Sequence, residues 1–278
     1  MEQETRQGKM DLHTHSHYSD GDLAPADIVR CAQEAGVTLL AVTDHDSMDG
    51  VAEALEAGRR EGLTVAPGVE MDNRYDQELH ILGLCVDPDH TPLRTELARA
   101  REQRMERNER ILRQLSAAGY DVAPYLPAAQ GVTTRLHIAL ALIRAGFAND
   151  TADAFQRFLR RGTPGFAALQ RPGPAHVIAL LREAGGIPVL AHPCHLRGNV
   201  HAIVQELVDL GIGGIEAYYT TSSPGQTALF SSLAAQHGLL VTCGSDFHGA
   251  NRPAAQLGCA WTPASMLDQT RRALMQRL

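Results

Sequence analysis

The sequence predicts an α/β fold, a closed or nearly closed TIM-like β/α barrel interrupted by an all-helical insertion. Three observations carry that prediction. Short β-rich runs alternate with helical patterns, as parallel strands joined by crossover helices require. The chain has 278 residues, an ordinary size for a barrel. Potential metal-binding side chains recur at the ends of the expected strands, where a barrel would gather them at one mouth.

The elements can be justified in order. The opening run "MDLHTHSHYSD", from residue 10, places His13, His15 and His17 on one face of an extended segment, because alternate side chains of a strand share a face. "APADIVRCAQEAG" follows as a helix, with Pro25 in its first turn, Ile28, Val29, Cys31 and Ala32 on one side, and Gly36 as its terminator. Strands then read at 39–46 (LLAVTDHD), 64–70 (TVAPGVE), 79–86 (LHILGLCV), 187–193 (IPVLAHP), 214–219 (GIEAYY) and 239–246 (LLVTCGSD). The alternation breaks in the middle, so the expected organisation is barrel over 1–92, helical insertion over 93–172, and barrel again over 173–278. The insertion opens with a long Arg- and Glu-rich helix ended by Gly119, whose charge reads as a solvated face. Its later pieces, "TTRLHIALALIRAG" and "TADAFQRFLRRG", bring Arg135, His137, Arg160, Arg161 and, just beyond, Arg171 into a short span that could wall a pocket.

Composition narrows the function classes. A formal charge of −7 argues against holding long nucleic acid by bulk electrostatics. Cys31, Cys85, Cys194, Cys243 and Cys259 form no CxxC pair, so reduced thiols in a cytoplasmic protein are expected rather than a disulfide framework or zinc knuckle. No apolar run is long enough to cross a bilayer, and "MEQETRQGK" reads as a polar, mobile tail rather than a secretion signal. A monomer without membrane contact is the expectation. Lys9 is the only lysine among 25 basic residues, so an anion site here must be built from arginine, although a high-GC coding sequence would produce the same bias.

The chemistry lies in a constellation. His13, His15 and Asp20 belong to the first strand and its exit. His45 closes the second strand, Glu70 the third, His80 lies in the fourth, His192 ends the fifth, and Asp246 with His248 ends the last. Nine imidazole and carboxylate groups at one barrel mouth exceed what a single ion can use, so two or three divalent ions are expected, with Glu70 the natural bridge. Mixed nitrogen and oxygen donors suit manganese first, with zinc, iron or magnesium as alternatives. Adjacent ions of this kind lower the pKa of water and stabilise entering and leaving oxygens in phosphoryl transfer, so phosphate ester hydrolysis is the reaction the set fits. A lysine-bridged amidohydrolase and a Schiff-base aldolase both want a lysine that this chain lacks beyond Lys9. The absence of GxSxG and GxxxxGK[ST] patterns removes a serine hydrolase elbow and a P-loop.

The motifs "DLHTHSHYSDGD", "AVTDHD", "GVE", "ELHILG", "LAHP" and "GSDFH", spread over roughly residues 9–90 and 173–250, resemble the PHP (polymerase and histidinol phosphatase) family. The resemblance implies a distorted (β/α)7 barrel and a trinuclear centre. His13, His15 and Asp246 would hold one ion, Glu70 would bridge it to a second held by His80 and His192, and Asp20, His45 and His248 would hold the third. The helical insert with "TTRLHIALAL", then "FLRRGTPGF" and "GGIPVLAHP", further resembles the stand-alone bacterial subgroup that acts on 3',5'-bisphosphorylated nucleotides (pAp-like) or short 5'-phosphorylated RNA. The implied catalytic groups are His13, His15, Glu70 and Asp246, with His137 as a candidate for touching substrate or protonating the leaving oxygen, or else for packing its helix. Arg135, Arg160, Arg171 and Arg197 are the candidates for anchoring a 5'-phosphate through forked hydrogen bonds. A histidinol-phosphate phosphatase and a non-catalytic module supporting a partner are the alternatives.

Overall fold

The computed structural model describes residues 8–127, 131–258 and 263–278, so Cys259 and most of the amino-terminal tail lie outside the described residues. Seven strands lie side by side in chain order: β1 (Lys9–Asp11), β2 (Val37–Val42), β3 (Thr64–Asp72), β4 (His80–Leu84), β5 (Ile187–Leu190), β6 (Gly214–Tyr219) and β7 (Leu240–Gly244). The last returns to the first. Leu12 N donates to Cys243 O at 3.0 Å, Asp246 N donates to His13 O at 2.9 Å, and Thr14 pairs in parallel with Phe247. These bonds all but close the barrel.

One expectation needs correcting: the strands are not all parallel. β4 runs antiparallel to both β3 and β5. Only residues 73–79 separate β3 from β4, too few for a crossover helix but enough for a hairpin. The reversal has a functional result. A strand running backwards delivers its first residue, not its last, to the mouth where its neighbours end, and His80 is the first residue of β4, paired with Asp72.

Strand alternation separates an inner from an outer face. Leu39 and Ala41 point inward to a cluster with Met10, Leu12, Leu82 and Val189 that fills the barrel, while Leu40 and Val42 point outward under α1 (Pro25–Glu34) and α2 (Val51–Glu61). On the far side, α6 (Pro174–Glu183), α7 (Val200–Asp209) and α8 (Pro224–His237) cover β5 and β6 through Val177, Leu181, Leu207 and Phe230. Each fully buried leucine of this kind contributes roughly 2 kcal/mol relative to exposure.

Between β4 and β5 the chain is helical: α3 (Thr91–Ala117), α4 (Arg135–Arg144), and α5 (Thr151–Ala154) running into a π turn at Phe155–Leu159. Leu93 and Leu97, in the first turns of α3, pack on the barrel. Ile111 and Leu115, near its end, join Ile138, Leu142, Phe158 and Leu159 in a separate core drawn wholly from this segment. Among the described residues no helix is long and apolar enough to cross a membrane.

Candidate metal centre and active site

The strand ends place the site. His13 and His15 follow β1, His45 follows β2 and bridges to Glu70 of β3, His192 follows β5, and Asp246 and His248 follow β7. Two of these positions are unusual in their backbone: His192 has φ 28° and Asp246 has φ 55°, a left-handed region that side chains other than glycine seldom occupy. Both are pinned there, His192 N by Glu216 Oε2 at 2.7 Å and Asp246 N by His13 O at 2.9 Å. Gly244 is required nearby, since a Cβ there would collide with His13 and the Glu216 carboxylate.

All nine expected groups meet at this mouth. His13 Nε2 and His15 Nε2 lie 3.1 Å apart, and Asp246 Oδ1 sits 3.6 and 3.2 Å from them. Glu70 reaches the same point, Oε1 at 3.5 Å from His13 and Oε2 at 3.3 Å from His15. The other side of Glu70 faces His80 Nδ1 at 2.8 Å and His192 Nε2 at 3.1 Å. Asp20 Oδ1 lies 3.2 Å from His248 Nε2, and its Oδ2 lies 3.9 Å from His45 Nε2. His45 also turns its Nδ1 toward Glu70 Oε2 at 3.0 Å, so this ring joins the two halves of the cluster.

Groups at the rim set which ring nitrogen points inward. Glu216 accepts from His13 Nδ1 at 3.1 Å, leaving Nε2 bare toward the centre. Ser19 donates its hydroxyl to Asp44, which frees it to accept from His15 Nδ1 at 3.3 Å. His248 gives its Nδ1–H to Asp246 O at 2.8 Å and presents Nε2 to Asp20. The second oxygen of Asp246 is held by the Tyr219 hydroxyl at 2.7 Å and by Arg252, so Oδ1 alone faces the histidines.

The electrostatics ask for cations. Burial would raise the pKa of Glu70, Asp20 and Asp246, yet the surrounding histidines hold all three well below the usual carboxylate range. His13 and His248 move the other way, raised by facing carboxylates against the effect of burial, and His80 reaches about 9. His15, buried beside His248, falls to about 3 and is a neutral donor. Asp20 Oδ1, Asp72 Oδ1 and His45 Nδ1 are buried without a hydrogen-bond partner. Lone pairs converging from three sides, with buried oxygens and an imidazole nitrogen in ion-pair contact yet without a hydrogen bond, are what divalent ions would satisfy, and the donor set fits them.

Two cavities flank the cluster. One, of about 600 Å³, runs from His45 and His80 to the helical segment and carries Arg74, Arg104, Arg107, Arg135, Arg161 and Arg171 in its walls. The other, of about 680 Å³, opens over His192 and Asp246 and carries His195, Arg197 and Arg252.

Comparison with known proteins agrees with this geometry. The PHP domain model matches residues 11–128. A 3',5'-nucleoside bisphosphate phosphatase of Chromobacterium violaceum is 32% identical over 257 residues, covering 90% of each chain. The 5'-3' exoribonuclease Rnm of Escherichia coli is 35% identical over 270 residues, covering 92% of this chain and 90% of its own. The chain belongs to the PHP family. The crystal structure of a candidate metal-dependent phosphoesterase from Bifidobacterium adolescentis superposes on this PHP barrel with a TM-score of 0.85 at 30% identity, covering 96% of each chain.

The PHP site departs from the sequence expectation outside the nine converging groups. Arg135 lines the first cavity but pairs with Glu78 at 3.0 Å, and Arg171 lines it with its fork committed to Asp46 and Asp72. Arg160 is exposed and is absent from the walls of either cavity; the π turn directs its neighbour Arg161 there instead. Arg197 stands at the mouth of the second cavity, across the cluster from the others. His137 stands in the first turn of α4, where its Nδ1 accepts from Thr134 N at 3.0 Å and completes a capping box, and it lines neither cavity. Cys194 is half-buried with its pKa raised by burial, unsuited to nucleophilic work.

The largest departure is α3. Arg104 and Arg107 are 4% and 3% exposed and face the cavity rather than solvent. The signal was present in the sequence, because both fall on the stripe Leu93, Leu97, Ala100, Ile111, Leu115 at helical spacing, the buried face of α3. Glu216 was equally visible as the one charge inside the apolar run GIEAYY.

Proposed function

We propose that this protein is a metal-dependent phosphoesterase that removes the 3'-phosphate of 3',5'-bisphosphorylated nucleotides such as pAp and also attacks short 5'-phosphorylated RNA from its 5' end. The convergence of nine imidazole and carboxylate groups on one barrel mouth, beside a cavity walled by arginine, carries this reading. Two or three divalent ions, manganese first, would be held by His13, His15, Glu70 and Asp246, by Glu70, His80 and His192, and by Asp20, His45 and His248. Such ions supply Lewis acidity that activates water and neutralises phosphoryl oxygens.

The chain's own groups do the rest. Glu216 and Ser19 keep the protons of His13 and His15 on Nδ1, so both rings would offer an Nε2 lone pair to a divalent ion. Tyr219 and Arg252 hold Asp246 in one rotamer. The helical segment, taken as the insertion 93–172, walls the cavity that receives the nucleoside, while 1–92 and 173–278 form the barrel. The same reading makes the protein a cytoplasmic monomer acting on small nucleotides rather than long nucleic acid.

The test is a substrate panel on metal-loaded enzyme: pAp, short 5'-phosphorylated RNA and histidinol phosphate, with bound ions counted by mass spectrometry. Orthophosphate and AMP should appear from pAp, and Asp246→Ala and His192→Ala should each lower turnover at least about a thousandfold with circular dichroism unchanged. Preference for histidinol phosphate, or full turnover by chelator-stripped enzyme, would overturn the proposal.

A further inference from the structure

The second cavity has no duty in the hydrolysis of a mononucleotide. It holds about 680 Å³ over His192, Asp246 and His248, whereas the first cavity, which receives the nucleoside in the proposed function, borders the ligand cluster at Asp20 and Asp72; the two share His45 and His80. A volume of that size encloses a small organic ligand. Two openings onto one reactive centre suit a substrate that continues past the bond being broken.

The proposed cleavage of RNA supplies that continuation. Water adds its oxygen to phosphorus, the P–O3' bond breaks, and a proton passes to the departing 3'-oxygen, so the first nucleotide leaves with a 3'-hydroxyl. Phosphorus stays on the 5'-oxygen of the remaining chain. In pAp that substituent is only a phosphoryl oxygen. In RNA it is a whole nucleotide followed by a further phosphodiester, which needs room on the side of the centre away from the leaving nucleoside.

The second cavity has the groups for it. His195, exposed at the opening, sets its ring 5.4 Å from that of His192 and 5.5 Å from that of Tyr219. Arg252 is bonded to Asp246 and to the Tyr219 hydroxyl. Arg197 is exposed, and among the described residues its guanidinium makes no ion pair, although Asp76 and Glu78 stand in the same wall. Its backbone, by contrast, is fixed. Gln77 donates to Arg197 O at 3.1 Å and accepts from Arg197 N at 2.7 Å, tying the loop after β5 to the β3–β4 hairpin. Gln226 of α8 fastens the same loop by donating to Cys194 O at 3.1 Å. A cation on a loop so held loses less freedom on binding than one on a free loop.

We infer that the second cavity is a subsite for the nucleotide on the far side of the scissile bond of a short RNA, with His195 against its base and Arg197 against the phosphodiester that follows. The inference rests on the proposed function and adds to it the reason one centre would serve both a bisphosphorylated mononucleotide and an oligonucleotide. An aromatic face stacks on any base and a guanidinium forks onto any phosphate, so the subsite reads no downstream sequence.

The test compares initial rates of the metal-loaded full chain on pAp and on 5'-phosphorylated triadenylate, pApApA, for the natural sequence, Arg197→Gln, Arg197→Lys and His195→Ala. The ratio of kcat/KM on pApApA to that on pAp should fall at least about tenfold in Arg197→Gln and several-fold in His195→Ala, through KM more than kcat. Arg197→Lys, which keeps the charge and loses the fork, should recover part of the loss. Added salt should lower kcat/KM on pApApA less steeply in Arg197→Gln than in the natural chain, the log–log slopes differing by roughly 0.7 for one phosphate contact on a single strand, and should act alike on both proteins with pAp. A merely structural role for Arg197 would lower both substrates together. Ratios and slopes unmoved by the variants, or cleavage of pAp with pApApA left intact, would overturn the inference and leave the phosphatase reading standing. Turnover of neither substrate by the natural chain would strike the proposed function, and the inference with it.

Discussion

Glu216 illustrates how single residues govern this site without touching a substrate. Its two oxygens take a ring proton from His13 and a backbone proton from His192, two groups that arrive from opposite ends of the chain. Replacing it by glutamine keeps the shape and offers the His13 ring one donor and one acceptor where there were two acceptors, so the proton on Nδ1 is no longer enforced. Glu216→Gln should therefore weaken divalent ion binding by roughly 10- to 100-fold, read by calorimetric titration of stripped protein. At this scale the sequence was informative about ligands and far less so about what orients them. His13, His15, Asp20, His45, Glu70, His80, His192, Asp246 and His248 stand at strand boundaries, where position alone implies convergence. Of the partners that orient them, Glu216 shows only as a lone charge in an apolar run and Ser19 only as a neighbour four residues from His15, and neither these nor Tyr219 carries a mark of which ligand it holds.

Among the elements, α3 and β4 gave the sequence reading its two errors, for different reasons. A charged surface hides the inward stripe of a long helix, since Arg104 and Arg107 look like their solvated neighbours until helical spacing from Leu97 and Ile111 is counted. The direction of a strand has no signature in its own residues; the reversal of β4 was written only in the short 73–79 connection. The helical segment's separate core leads to a prediction at this scale. Leu142 is fully buried among Ile111, Leu115, Ile138 and Phe158, away from the barrel clusters. Leu142→Ala should cost about 3 kcal/mol by urea denaturation. It should raise KM for pAp through loosening of the cavity wall, and leave ion stoichiometry unchanged. Loss of bound ions in that variant would mean the segment and barrel are one cooperative unit.

Taken as a whole molecule, the barrel trades stability for a mouth crowded with like and unlike charges, and pH exposes that trade. In stripped protein His80 has a pKa near 9, because Glu70 and Glu78 raise it by more than burial lowers it, against 6.5 for an ordinary histidine. A folded-state value above the unfolded one stabilises fully below pH 6.5 and loses that contribution as pH rises through 9. His13 and His248, raised in the same direction, add to the loss. Ions reverse the dependence, since they require the unprotonated imidazole and their binding releases protons. Stripped protein should thus lose several degrees of melting temperature between pH 6.5 and 9, whereas manganese-loaded protein should hold or gain over the same window. Differential scanning calorimetry at four or five pH values, with and without chelator, checks this. Parallel curves for the two forms would mean that the carboxylates and histidines of the mouth do not exchange protons for ions, and the nine-group centre would lose its physical basis.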